Sequence, residues 1–223
     1  MKLPNRNYCQ IAIDGYSRCG KTTLSLRLSK ELNIPFVDSG TLYRLITFYI
    51  LQDDFTNKEH VFKKIQETHY LEDNGTFHNT KDLHKYLRSD DVTNHVSLFS
   101  QDADIRDFVN KTIQETFCNK SVVMNGRDIG TVVLPNAQIR IFLKSSIERR
   151  VKIWKLNHNI EDINVINKME NSLRQRDFND THREIAPLKC DSDYIVFDRD
   201  EWKIDSIVDY IVLLYYKECG IVL

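Results

Sequence analysis

A chain of 223 residues with 41% hydrophobic and 28% charged side chains can bury one sizeable core, which argues against global disorder. Lys plus Arg (31) nearly balance Asp plus Glu (32), and a net charge of -1 sets aside a surface built around nucleic-acid backbones. The five cysteines, Cys9, Cys19, Cys118, Cys190 and Cys219, have no metal-ligand spacing, and their odd number suits reduced thiols better than a disulfide framework. The start, MKLPNRNYCQ, lacks the apolar stretch of a signal peptide, and no apolar run approaches the roughly 20 residues of a bilayer crossing. A cytoplasmic protein with no membrane or nucleic-acid partner is expected.

In chain order, YCQIAID (8–14) reads as a short buried strand. An amphipathic helix follows near 21–32, with Leu24, Leu28 and Leu32 at helical spacing. IPFVDSG (34–40) looks like a second strand ending in a polar turn, and strand–loop–helix–strand favours an α/β parallel sheet with crossover helices. Residues 41–116 are mostly helical in pattern and polar, an insertion the sheet does not need. Within them YLEDNGTFHN is weakly β-like, with Asn74-Gly75 as a hairpin signal. The sheet resumes at SVVMNG (121–126), AQIRIFLKS (137–145) and YIVFD (194–198), with a long polar helical stretch over 146–183. Ile204, Ile207, Val208, Ile211 and Leu214 mark 204–217 as a packing helix.

Gly15, Gly20, Lys21 and Thr22 satisfy G-x-x-x-x-G-K-[ST] between the first strand and the first helix. In that setting backbone N–H groups curl around phosphate oxygens and the helix points its positive end at them. Lys21 reaches the outer phosphates, and the Thr22 hydroxyl can join a Mg²⁺ shell. The cradle spans Gly15, Tyr16, Ser17, Arg18, Cys19, Gly20, Lys21, Thr22 and Thr23. Its intermediate positions contribute backbone, so Tyr16, Arg18 and Cys19 are expected to turn their side chains outward.

IDGYSRCGKTT, DSGTLYR, NGRDIGTVVLP and RQRDFNDTHREIAPL occur in this order, and together they resemble the bacterial cytidylate kinases from residue 8 to about 212. The resemblance implies a phosphate-loop NTPase-like parallel sheet of five strands in one nucleoside monophosphate kinase domain. Its core would cover about 1–38, 117–153 and 176–223, its acceptor-binding insertion about 39–116 and its lid about 154–175. It implies a monomer that uses ATP and Mg²⁺ to convert CMP and dCMP to CDP and dCDP. Arg44 beside Ser39, with Arg127 and Arg183, would hold the acceptor phosphate in planar forks. Ser97 and Arg106, nine residues apart, would read the base with Asp128. Arg176, Asp180 and Arg183 match the sugar-binding pattern R-x-x-x-D-x-x-R, and Arg149 belongs to the donor side. Lys21, Arg127, Arg176 and Arg183 are the expected catalytic cations, since charge stabilisation does most of the work in this chemistry.

The chain departs from the family pattern in places. Asn125 stands where many relatives carry a carboxylate, and Asp14 is a candidate to compensate. Lys152 and Ile153 replace lid arginines of an R-x-x-R-R pattern, while Asn179 and Thr181 stand where relatives often have arginine. Two other readings stay open: a nucleotide-binding phosphate-loop protein with weak or no transferase activity, and a kinase for another small acceptor.

Overall fold

Strand β1 (Gln10–Gly15) is buried along its whole length, as a strand covered on both faces must be. The computed structural model describes residues 8–52, 57–69, 71–72, 75, 77, 80 and 82–218. β1 pairs in parallel with β3 (Val122–Asn125) on one side and β4 (Ile139–Lys144) on the other. β2 (Phe36–Asp38) adds outside β3 and β5 (Ile195–Asp198) outside β4, giving one parallel sheet in the order β2-β3-β1-β4-β5. The chain direction along the sheet reverses between β1 and β3, so their carboxyl ends open a crevice suited to a ligand.

Side-chain alternation in β1 divides the core. Ile11 and Ile13 pack with Leu24 and Leu28 of α1 (Lys21–Leu32) and with Ile207 and Ile211 of α8 (Ile204–Glu218). Ala12 faces the other way, into a cluster with Leu42 and Ile46 of α2 (Ser39–Gln52) and Val109 and Ile113 of α5 (Ala103–Thr116). The inserted region, expected to be dispensable to the sheet, therefore covers one of its two faces. Its polar sequence conceals sparse apolar stripes that are fully buried at Leu42, Leu45, Ile46, Val109 and Ile113. The same region contributes α3 (Lys58–Thr68) and α4 (Asp90–Phe99).

At the expected hairpin, Leu71 and Phe77 form an antiparallel bridge, with Gly75 between them at φ 85°; Asn74 lies outside the described residues. The helical stretch 146–183 is two helices, α6 (Ile147–His158) and α7 (Ile163–His182). Asn159 divides them in the left-handed conformation (φ 52°), where an asparagine side chain is tolerated. Cys9, Cys19, Cys118 and Cys190 are free thiols, and Cys219 lies outside the described residues. Among the described residues no helix is long and apolar enough to cross a membrane.

Gly15 ends β1 at φ 145°, and a Cβ there would overlap the Leu143 carbonyl, which accepts from the Tyr16 N–H at 3.3 Å. Gly15→Ala should therefore pull β1 from β4 and lower unfolding stability by about 2–4 kcal/mol, read from the urea midpoint.

Candidate active site

The N-terminus of α1 carries no side-chain cap: Gly20 precedes it at φ 98°, and its first turn has no acidic residue. Its orphan N–H groups are left to face an anion. Lys21 folds back beside them, its Nζ donating to the carbonyls of Gly15 (2.8 Å) and Tyr16 (2.6 Å). Burial, with Arg127 nearby, holds its ammonium down to about 8.

The side chains between the two glycines do not all turn outward as expected. Cys19 is buried against the α1–α8 core, because the loop folds over the start of that layer. Tyr16 stacks edge-on against Phe142 of β4, with ring centroids 5.8 Å apart. Arg18 lines the cavity in front of the loop.

Two residues not read from the sequence brace this loop. Asp177 of α7 accepts from the Ser17 N–H at 3.1 Å, and its other oxygen pairs with Arg150 at 2.6 Å. Arg150 of α6 also donates to the Ser17 carbonyl at 2.9 Å and lies 5.6 Å from the centre of the Tyr16 ring. A carboxylate thus occupies one of the loop N–H groups that would meet a phosphate oxygen. The only sequence signals were Arg150 beside Arg149, and Asp177 three residues before Asp180.

A cavity of about 520 Å³ runs from the loop to α2 and α4. Arg44 and Ser39 reach it from α2, Arg127 and Asp128 from the turn after β3, and Arg176, Asp180 and Arg183 from α7 and its end. Arg44 is anchored by the Leu87 carbonyl (2.9 Å) and Thr93 Oγ1 (3.0 Å). Arg127 Nε pairs with Asp180 at 2.5 Å, and this guanidinium holds the Asp180 carboxyl below the usual range against the opposing effect of burial. Burial and Arg127 lower Arg176 to about 10. Arg88, which the sequence reading passed over, lines the same space. Among the described residues Arg18, Arg88 and Arg176 have no ion-pair partner.

The base-reading trio divides its tasks. Ser97 and Asp128 line the cavity, whereas Arg106, 2% exposed, stands behind Asp128 and pairs with it. Arg183 takes the other Asp128 oxygen at 3.1 Å, so both oxygens are held by guanidinium. Arg149 stands apart from the cavity, on the outer side of the loop. There Arg199 comes close to Gly20, and both arginines have a buried Nε without a partner.

Asn125 ends β3 beside Asp38 of β2. With its amide nitrogen donating to Asp38 Oδ1 (2.9 Å) and its oxygen accepting from the Thr22 N–H (3.3 Å), both ends are satisfied. Asp14 does not compensate for it: its carboxylate is fully buried and accepts from the N–H groups of Ile129 and Gly130 (both 2.9 Å) and from Tyr194 Oη (2.7 Å). No group of three or more His, Cys, Asp or Glu forms a standing metal site among the described residues. The Thr22 hydroxyl, Asp38 and Asn125 are hard oxygen donors that suit Mg²⁺ arriving with nucleotide phosphates.

A phosphate loop at the head of a parallel sheet, facing a second arginine-lined anion pocket, defines a phosphate-loop kinase acting on a small phosphorylated acceptor. The sequence model of the cytidylate kinase family matches residues 11–217, and the chain belongs to that family. It is 34% identical over 227 residues to the cytidylate kinase of Geobacillus sp. (strain WCH70), covering 96% of this chain and 100% of that one. It is 37% identical over 202 residues to the cytidylate kinase of Flavobacterium johnsoniae, covering 84% and 87%. A solved structure of an uncharacterized protein from Eubacterium ventriosum shares the fold, with a TM-score of 0.51 at 14% identity over 94% of this chain and 98% of that one.

Two outcomes follow from these contacts. Lys21 must be charged to grip phosphate, and the empty protein releases that proton near pH 8. ADP affinity should be flat below about pH 8 and weaken above it, by up to roughly tenfold per unit, in calorimetric titrations. The unfolded chain keeps this proton to about 10.5, so the same group makes the empty fold more stable as pH rises from about 8 toward 10.5. Asn125→Asp would set a second carboxylate against Asp38, costing about 1–3 kcal/mol in the empty protein. Mg²⁺ should then raise the melting temperature of the variant more than that of the parent.

Proposed function

We propose that the cavity joins two substrates, ATP on the loop side and CMP or dCMP on the α2–α4 side, and moves the γ-phosphoryl group between them. The products are ADP and CDP or dCDP. One observation carries the acceptor assignment: Asp128, held by Arg106 and Arg183, lines the same cavity as Ser97 and the loop. Cytosine offers an amino donor beside a ring-nitrogen acceptor and a carbonyl. A fixed carboxylate would accept from the amino group and the Ser97 hydroxyl could donate to the ring nitrogen or carbonyl, whereas uracil, lacking the amino group, leaves Asp128 unmatched.

The acceptor is already an oxyanion at neutral pH, so the reaction needs no general base. What it needs is in-line placement and cancellation of charge. Arg44, Arg127 and Arg183 grip the acceptor phosphate, while Arg176 and Asp180 place the sugar. Lys21 and the loop N–H groups hold the donor. Mg²⁺ bound through Thr22 and the nucleotide would neutralise charge on the outer phosphates. The acceptor lobe (about 39–116) and the lid (about 154–175) would close to exclude water, which otherwise competes with the acceptor. The working unit in this reading is a cytoplasmic monomer. Neither the binding-only reading nor a different acceptor gains support, since the donor loop is intact and the cytosine-facing groups are assembled.

ADP release, followed in a coupled assay with CMP, dCMP, UMP, AMP and GMP side by side, tests this. CMP and dCMP should stimulate it most, and no stimulation by either would overturn the assignment. Arg106→Ala should lower the CMP-over-UMP ratio of kcat/KM about tenfold or more, because Asp128 loses the cation that aims it. Equal losses with both acceptors would contradict its role in base choice.

A further inference from the structure

Position 18 lies in the left-handed region (φ 57°), where an L side chain is disfavoured and glycine is not. Non-glycine residues held in this region are enriched at active sites and ligand clamps. Arg18 lines the cavity together with Arg44, Arg88 and Arg176, and its charge and theirs disfavour one another. Among the described residues it has no ion pair and no side-chain hydrogen bond. It is a free cation carried by the donor loop and exposed to the cavity that this loop shares with Arg44, Arg88 and Arg176.

The lid helix supplies no equivalent. Ile153 of α6 faces the cavity with an apolar side chain, and the neighbouring Lys152 does not line it. Arg150 reaches the loop, but the Ser17 carbonyl and Asp177 engage it. Lys21 is tethered to two loop carbonyls on the donor side.

We propose that the Arg18 side chain is a catalytic residue of the phosphoryl transfer, supplied by the donor loop rather than by α6. This rests on the kinase reading above. In the transfer, an acceptor phosphate oxygen forms a bond to the γ-phosphorus. The bond from that phosphorus to the β–γ bridging oxygen breaks, and its electron pair leaves with ADP. Negative charge spreads over the equatorial and bridging oxygens, and a planar guanidinium can bond two of them at once. Charge stabilised only in the transition state raises kcat and leaves ground-state binding little changed.

Steady-state kinetics with ATP and CMP on Arg18→Gly, Arg18→Lys and Arg18→Gly/Ile153→Arg test the proposal. Glycine suits this backbone, so Arg18→Gly should melt at or above the parent temperature. Its kcat should fall about 100-fold or more, with both KM values within about threefold. Arg18→Lys should recover part of the loss, since it restores a point charge but not the fork. Ile153→Arg, added to Arg18→Gly, should recover kcat by about tenfold or more, a rescue that a structural role for Arg18 would not give. An active parent with Arg18→Gly equally fast would overturn the proposal and leave the kinase reading standing. So would a loss confined to KM for ATP. A parent that phosphorylates neither CMP nor dCMP would overturn both.

Discussion

Seven arginines and Lys21 line one cavity against three carboxylates, Asp38, Asp128 and Asp180. Unit charges about 4 Å apart repel by on the order of 1 kcal/mol in water and about 4 kcal/mol near a protein surface, so such crowding has to be imposed by the fold. The few carboxylates are therefore placed where each restrains more than itself. Asp128 joins Arg106 of α5 to Arg183 at the end of α7. Asp180 fixes Arg127 across from the same helix, and Asp177 ties Arg150 to the loop backbone. Among the described residues Arg18, Arg44, Arg88 and Arg176 make no ion pair, a positive surplus that two phosphate-bearing substrates would cancel.

The sheet provides the rigid frame for this surplus. The segments that bring charge into the cavity follow the carboxyl ends of β1, β2, β3 and β4, which lie side by side in parallel register. Asp14 locks the turn after β3 to β1 and to Tyr194, with three donors on one buried carboxylate. Burial pushes that carboxyl upward while the three donors pull it down. The inserted helices do more than carry Arg44, Arg88 and Ser97, since they also bury one face of the sheet. Helix α2 thus carries both cavity residues (Ser39, Arg44) and core residues (Leu42, Ile46), and α5 carries both the Asp128 partner Arg106 and the core residues Val109 and Ile113.

The donor loop was legible in the sequence because backbone geometry dictates its glycines, and a short motif records that demand locally. The cavity arginines Arg44, Arg127, Arg176 and Arg183 were legible only through the resemblance, since a single Arg in a charged stretch reads as a solvated surface residue. Arg150 and Asp177 escaped notice for a different reason. They meet at Ser17 because α6 and α7 fold back on each other at Asn159, bringing together residues 27 positions apart and a loop 133 positions away from Arg150. The inward turn of Cys19 escaped as well, because it depends on the packing of α8 against α1.

By itself, the sequence determined the strand–loop–helix start, the parallel α/β class and the phosphate loop, because local spacing and backbone demands encode these directly, and its ordered motifs carried the resemblance to the family. Tertiary structure decided which cations are bound and which are free. Ion pairing depends on distance across elements remote in the chain, and that distance appears only once the sheet has gathered their ends. It was this gathering that left Asn125 bridging Asp38 to Thr22 and left Arg18 without a partner, facing the cavity.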